Sequence, residues 1–258
     1  MTPAVLSQRE GTTATITLFN PEKLNALDAA MWRRLAEAFA ALDTDETLRC
    51  VIVRGEGMAF AAGGDLVEMH DLRASSDGAE AYHADVERAL CAIAGCRHPV
   101  VAAILGPCIG GGLEIACACD LRIAGQSAKF GAPINKLGFS MYPGELAGLL
   151  HLAGPAVVKE ILLEGRLLSA AEAYEKGLLT RVVADSDLAA EVEATAERIA
   201  AGAPLVARAH KQWIARLQQG TPPGKDELRS SFAILDSADY AEGYAAFREK
   251  RSPRFTGN

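Results

Sequence analysis

The 258-residue sequence has no basic run. Its 26 Lys and Arg stand against 33 Asp and Glu, for a formal net charge of -7. Binding to a phosphate backbone needs clustered positive charge, so nucleic acid is not an expected partner. Positive residues gather only near the C-terminus, at Arg248, Lys250, Arg251 and Arg254, as a solvated helix end or a local anion site. Long hydrophobic runs are also missing. The stretch that reads as most apolar, Pro99 to Leu113, has 15 residues broken by Gly and Pro. A bilayer span needs about 20, so no membrane crossing is expected. Residues 1–10 lack a basic segment followed by an apolar run, which argues against a secretory signal. Cys50, Cys91, Cys96, Cys108, Cys117 and Cys119 include a C-x-C pair but no C-x-x-C, and the five histidines do not pair at metal spacing. Reduced thiols and a cytoplasmic location are the expectation. No dinucleotide G-x-G-x-x-G, no phosphate-binding G-x-x-x-x-G-K-[ST] and no H-E-x-x-H occurs. Ser140 lacks the second glycine of a nucleophile elbow.

Half the residues are hydrophobic and 23% are charged, ordinary globular usage for a chain long enough to bury its own core. Thr13–Phe19 alternates polar and apolar residues, as a strand does. Leu27, Met31, Leu35, Phe39 and Leu42 then recur at helical spacing, with Asp28 placed to cap. Cys50–Arg54, Pro99–Leu105, Asp120–Ala124 and Leu178–Val183 read as further strands. Ser169 and Glu172 form a capping-box pattern. Strands alternating with helices predict an α/β fold to about residue 185. From Leu188 the pattern is helical, broken at Pro204 and at Thr221–Gly224. The stretch Leu66–Ala94 is irregular, and it is the expected source of a pocket wall.

Two glycine-rich turns could carry chemistry. Ile109–Glu114 (IGGGLE) lies between a strand and a helix, where bare backbone amides and a helix N-terminus suit a developing negative oxygen. Glu114, three residues beyond Gly111, sits almost one turn along on the same side. Ala59–Met69 (AFAAGGDLVEM) repeats the pattern. Together the turns could give one oxygen two N–H donors, an oxyanion hole. From spacing alone, two ordinary turns and a structural Glu114 explain the same residues.

At these residues the chain resembles the enoyl-CoA hydratase/isomerase (crotonase) superfamily over nearly its whole length. Asn20–Leu27 (NPEKLNAL) is similar to a CoA-contacting segment, Phe60–Leu66 to the first oxyanion segment, Gly110–Glu114 to the second, and Glu242–Phe255 to a C-terminal signature. The resemblance implies a spiral of ββα units with the acyl-CoA site in residues 1–200, and a helical oligomerisation region in 201–258. It implies an acyl-CoA partner, a homotrimer or homohexamer, and no cofactor beyond the coenzyme A of the substrate. The implied catalytic residues are the Gly64 and Gly111 amides and Glu114. The implied CoA and substrate contacts are Lys23, Leu24, Ala26, Ala62, Gly63, Asp65, Leu66 and Gly110. Two positions depart from the pattern. Val67 stands where many relatives carry Lys, which leaves Lys23 and Lys250 of a neighbouring subunit as phosphate contacts. Ile134 stands after Pro133 where hydratases carry a second catalytic Glu, and isoleucine cannot transfer a proton. Either Glu114 makes both proton transfers on one face, giving slow hydration, or Tyr142, Glu145 or Asn135 replaces the missing group. A malonyl- or methylmalonyl-CoA decarboxylase and a non-catalytic acyl-CoA binder are the alternatives to hydratase or isomerase.

Overall fold

The computed structural model describes residues 2–258. Strand β1 (Ala4–Glu10) runs antiparallel to β2 (Thr13–Phe19) at the edge of a six-stranded sheet. Helix α1 (Ala29–Asp43) follows, with the Asp28 side chain accepting the Met31 N–H at 2.7 Å as an N-cap. Strand β3 (Cys50–Gly55) leads to helices α2 (Leu66–Leu72) and α3 (Ser76–Gly95), then β4 (Val100–Ile104). The Leu66–Ala94 stretch is therefore two helices joined by a turn at Arg73–Ser75, with Asp65 capping α2 and Ser75 capping α3.

Strand β5 (Pro107–Ile109) feeds α4 (Gly111–Ala118), and β6 (Leu121–Gly125) and β7 (Lys129–Gly131) come next. Helix α5 (Pro143–Lys159) continues as a π turn, Glu160–Glu164. After it come β8 (Leu168–Ser169), α6 (Ala170–Glu175), β9 (Arg181–Val183) and α7 (Leu188–Ala200). Ser169 and Glu172 make the expected capping box on α6. Then come the α-helices α8 (Pro204–Gln218), α9 (Lys225–Ser230) and α10 (Ala238–Glu249), with a 3-10 helix, Ser231–Asp236, between the last two.

The main sheet has the order β1-β2-β3-β4-β6-β9, parallel throughout except for β1. A parallel sheet must be covered on both faces. Ile16, Leu18, Val51, Val53, Ala102 and Ile104 pack with Met31, Trp32, Leu35 and Phe39 of α1 and Ala89 and Ile93 of α3. On the other face, Cys50, Val101 and Ile123 pack against Leu188, Val192 and Ala196 of α7. The α/β class expected from the sequence is present.

A smaller sheet, β5-β7-β8, aims the second glycine turn. In it Ile109 pairs with Gly131, and the Gly110 N–H donates to the Gly131 carbonyl at 2.9 Å.

A longer apolar run than Pro99–Leu113 lies further along the chain. Pro143–Glu164 has 22 residues and a mean hydropathy of 1.6, enough by length and composition to cross a membrane. Its continuity is broken at Gly154, where φ 72° and ψ 167° are not helical, followed by Pro155. Neither half reaches the roughly 20 residues of a span. The helix packs against α3 and α4.

Candidate active site

The two glycine turns are far apart in sequence and meet in space. Leu27 is bridged in parallel to Gly64: its N–H donates to the Gly63 carbonyl at 2.8 Å, and its carbonyl accepts the Asp65 N–H at 2.7 Å. In such a pairing the bridged residue turns its own N–H away from the partner strand. Among the described residues, nothing accepts the Gly64 N–H. Gly111 opens α4, so its N–H has no intrahelical partner, and again no acceptor takes it among the described residues. A Cβ on Gly63 would lie 3.8 Å from the Gly111 nitrogen and 3.2 Å from the Ile109 carbonyl oxygen. Gly63 has φ 108° and Gly110 φ 50°, backbone regions that strain a side-chain-bearing residue. Both turns therefore need glycine to approach so closely.

The Asn20–Leu27 segment supports this arrangement from behind. Asn25, buried and at φ 58°, donates through Nδ2 to the Ala59 carbonyl at 2.8 Å, and its Oδ1 accepts the Asn20 N–H at 3.0 Å. The Leu24 carbonyl accepts the Ala62 N–H at 2.9 Å.

Gly64 and Gly111 border one cavity of about 150 Å³, together with Ala62, Gly63, Leu66 and Gly110. Glu114 of α4 and Glu145 of α5 line it as well, as does Ile134. The rest of its wall includes Trp32, Met69, Tyr82, Val86, Phe139 and Met141. The Glu114 side chain makes no hydrogen bond and no ion pair among the described residues. Burial, with repulsion from Glu145 second and relief from Arg73 third, pushes its carboxyl up to about 8. Glu145, 7% exposed, accepts a 2.5 Å hydrogen bond from Nδ1 of His83 on α3. His83 in turn stacks on the Tyr142 ring at 4.7 Å. One buried carboxyl is thus held neutral near pH 7, while the other is oriented by an imidazole.

Several expected residues stand elsewhere. Asn135 is turned out of the cavity, with Nδ2 donating to the Leu163 carbonyl at 3.0 Å. Tyr142 is the N-cap residue of α5, 40% exposed and outside the cavity wall. Its ring stacks on the outer side of the His83–Glu145 pair. Lys23 and Asp65 form an ion pair with each other outside the cavity, Leu24 is exposed and Ala26 is buried. Val67 is exposed on α2.

Sequence reading missed His83, Arg73 and Tyr82. Tyr82, Val86, Ala89 and Ile93 recur at helical spacing, a signal that would have placed α3 and its cavity face. Nothing in the local pattern marks Arg73.

Residues 8–258 match the family of enoyl-CoA hydratases/isomerases. The chain is 38% identical over 257 residues to the probable enoyl-CoA hydratase echA8 of Mycobacterium tuberculosis, covering 98% of this chain and 97% of that one. It is 35% identical over 259 residues to a carnitinyl-CoA dehydratase of Salmonella typhi, with 96% and 97% covered. A solved enoyl-CoA hydratase/carnithine racemase from Magnetospirillum magneticum superposes with a TM-score of 0.97 at 51% identity, over 98% of this chain and 96% of that one. The chain belongs to the enoyl-CoA hydratase/isomerase family, a group of lyases and isomerases acting on acyl-CoA thioesters.

Proposed function

We propose that this chain is an enoyl-CoA hydratase in which Glu145 takes the part of the absent second glutamate. The observation that carries the reading is that Glu114 and Glu145 line the same cavity as the free amides of Gly64 and Gly111. In this scheme the thioester oxygen accepts both N–H groups. Glu145 takes a proton from water as the water oxygen bonds to C3, and electrons flow through the double bond onto the thioester oxygen. Glu114, carrying a proton at neutral pH, delivers it to C2 as the enolate collapses. The amides favour the transition state because charge on the oxygen grows as the reaction proceeds. The scheme needs no metal or redox group.

The decarboxylase alternative drew on Ile134, which lines the cavity, and on Asn135 and Tyr142, which stand outside its wall. A pure binder would gain nothing from burying Glu114 without a partner, since an unpaired buried carboxyl is costly. The trimer or hexamer is supported by apolar residues left exposed on the C-terminal part, among them Ile214 at 60%, Phe232 at 63% and Phe247 at 82%. The free cysteines fit a reducing, cytoplasmic setting.

The test is incubation with crotonyl-CoA, a 3-enoyl-CoA and methylmalonyl-CoA. Hydration of the first is expected. Turnover of only the second would make the enzyme an isomerase, turnover of only the third a decarboxylase, and binding without turnover would refute catalysis.

A further inference from the structure

We propose that Arg73 forms an anion subsite in the acyl cavity, making the preferred substrate a short acyl-CoA whose chain ends in a carboxylate. The inference rests on the acyl-CoA reading above and adds the class of acyl group.

Arg73 follows the last turn of α2, where its N–H donates to the Met69 carbonyl at 3.0 Å. Its side chain lines the cavity beside Leu66, Met69 and Ile134. Among the described residues the guanidinium makes no ion pair and no hydrogen bond. Nε is sealed from solvent and lacks an acceptor. Arg73 is half-buried, and a sealed donor such as its Nε is costly unless a ligand supplies the acceptor. The protein's own carboxylates do not fill that role: Glu145 is committed to His83, and Glu114 remains unpaired.

The guanidinium is nonetheless held in place. It lies 4.5 Å from the Phe139 ring centroid and 5.5 Å from that of Tyr82, so two aromatic faces fix it by cation–π attraction. A fixed planar fork is suited to bidentate recognition of a carboxylate.

Tyr82 also sets the reach. A Cβ on Gly64 would lie 2.9 Å from the Tyr82 hydroxyl, which accepts the Trp32 Nε1–H at 3.2 Å. The tyrosine therefore spans from the amide turn to Arg73. One aromatic ring separates the thioester oxygen's site from the cation, room for a short chain with a terminal carboxylate. An all-hydrocarbon chain of that length would press methyl groups on the cation and leave it unpaired.

The experiment compares glutaconyl-CoA with its terminal carboxamide, matched in shape and lacking the charge. Turnover is measured with the wild type, Arg73→Gln and Arg73→Lys. In parallel, calorimetry measures binding of the saturated pair, glutaryl-CoA and its carboxamide. The wild type is expected to favour the carboxylate by about 10–100-fold in kcat/KM and in binding. Arg73→Gln should abolish that ratio, and Arg73→Lys should keep part of it. Equal treatment of the pair by the wild type overturns the proposal. So does an Arg73→Gln variant that weakens both members alike. A carboxylate preference in binding with no turnover of any enoyl-CoA overturns the hydratase reading and upholds Arg73. Turnover of crotonyl-CoA without the preference does the reverse. Failure to bind any thioester overturns both.

Discussion

Replacing Glu114 by Gln keeps the size and shape of the side chain and removes its capacity to ionise. In the wild type, burial and then Glu145 carry this carboxyl from 4.5 up to about 8. The folded chain therefore holds a proton that the unfolded chain releases above about pH 4.5. Stability must fall as pH rises from about 5 to about 8 and level off beyond, because the unfolded state binds fewer protons across that window. Taken in full, the difference amounts to about 5 kcal/mol. Water entering the cavity and local relaxation reduce this, so about 2–3 kcal/mol is the figure expected in solution. Denaturant unfolding of wild type and Glu114→Gln at about pH 5 and about pH 9 measures it. The two proteins should be nearly equal at the lower pH, and the variant more stable at the higher. Hydration of crotonyl-CoA by the variant should drop by about 10²–10⁴ at neutral pH, since a positioned acid–base group contributes that much. A stability gap that stays constant across the pH range, or undiminished turnover, would refute the view that Glu114 is a buried, protonated acid.

Four further outcomes follow from the same geometry. Glu145→Gln should lower hydration by about 10²–10⁴, while Ala in place of His83 should lower it less, because His83 only orients the carboxylate; steady-state kinetics with crotonyl-CoA reads both. Adding Ile134→Glu to Glu145→Ala should recover part of the lost activity, since position 134 also lines the cavity, and the single and double variants are compared in that assay. Gly111→Pro removes one oxyanion donor and should cost about 10²–10³ in kcat; circular dichroism must show that the chain still folds, because a Cβ there would lie 2.8 Å from Trp32 Cζ2. The proposed trimer or hexamer gives Phe247, 82% exposed in the single chain, a place in a subunit interface, so Phe247→Glu should lower the mass read by sedimentation velocity.

Local signals carried much of this molecule. The β2 alternation, the capped helix after Asp28, the capping box at Ser169 and the glycine turns were legible because each depends on a few neighbouring residues. Strands β5, β7 and β8 were not, because segments of two or three residues lack the length to show a period. The glycine turns were legible as turns, but their meeting depends on the Leu27–Gly64 and Ala61–Cys108 bridges, which no local pattern announces. In the sequence, Glu145 was one of three candidates for the proposed second carboxylate. Glu145 lines the cavity and Asn135 and Tyr142 do not, a difference set by how α5 packs against α3 and α4 and not by any local pattern. Arg73 shows the same limit: its meaning lies in two rings that approach it from 9 and 66 residues away.

A crystal structure with a bound, unreactive acyl-CoA bears most directly on the central claim. The thioester oxygen should lie about 2.7–3.1 Å from both the Gly64 and Gly111 nitrogens, with the Glu114 and Glu145 carboxyls flanking C2 and C3. A thioester oxygen that meets only one of those amides, or neither, would contradict the account.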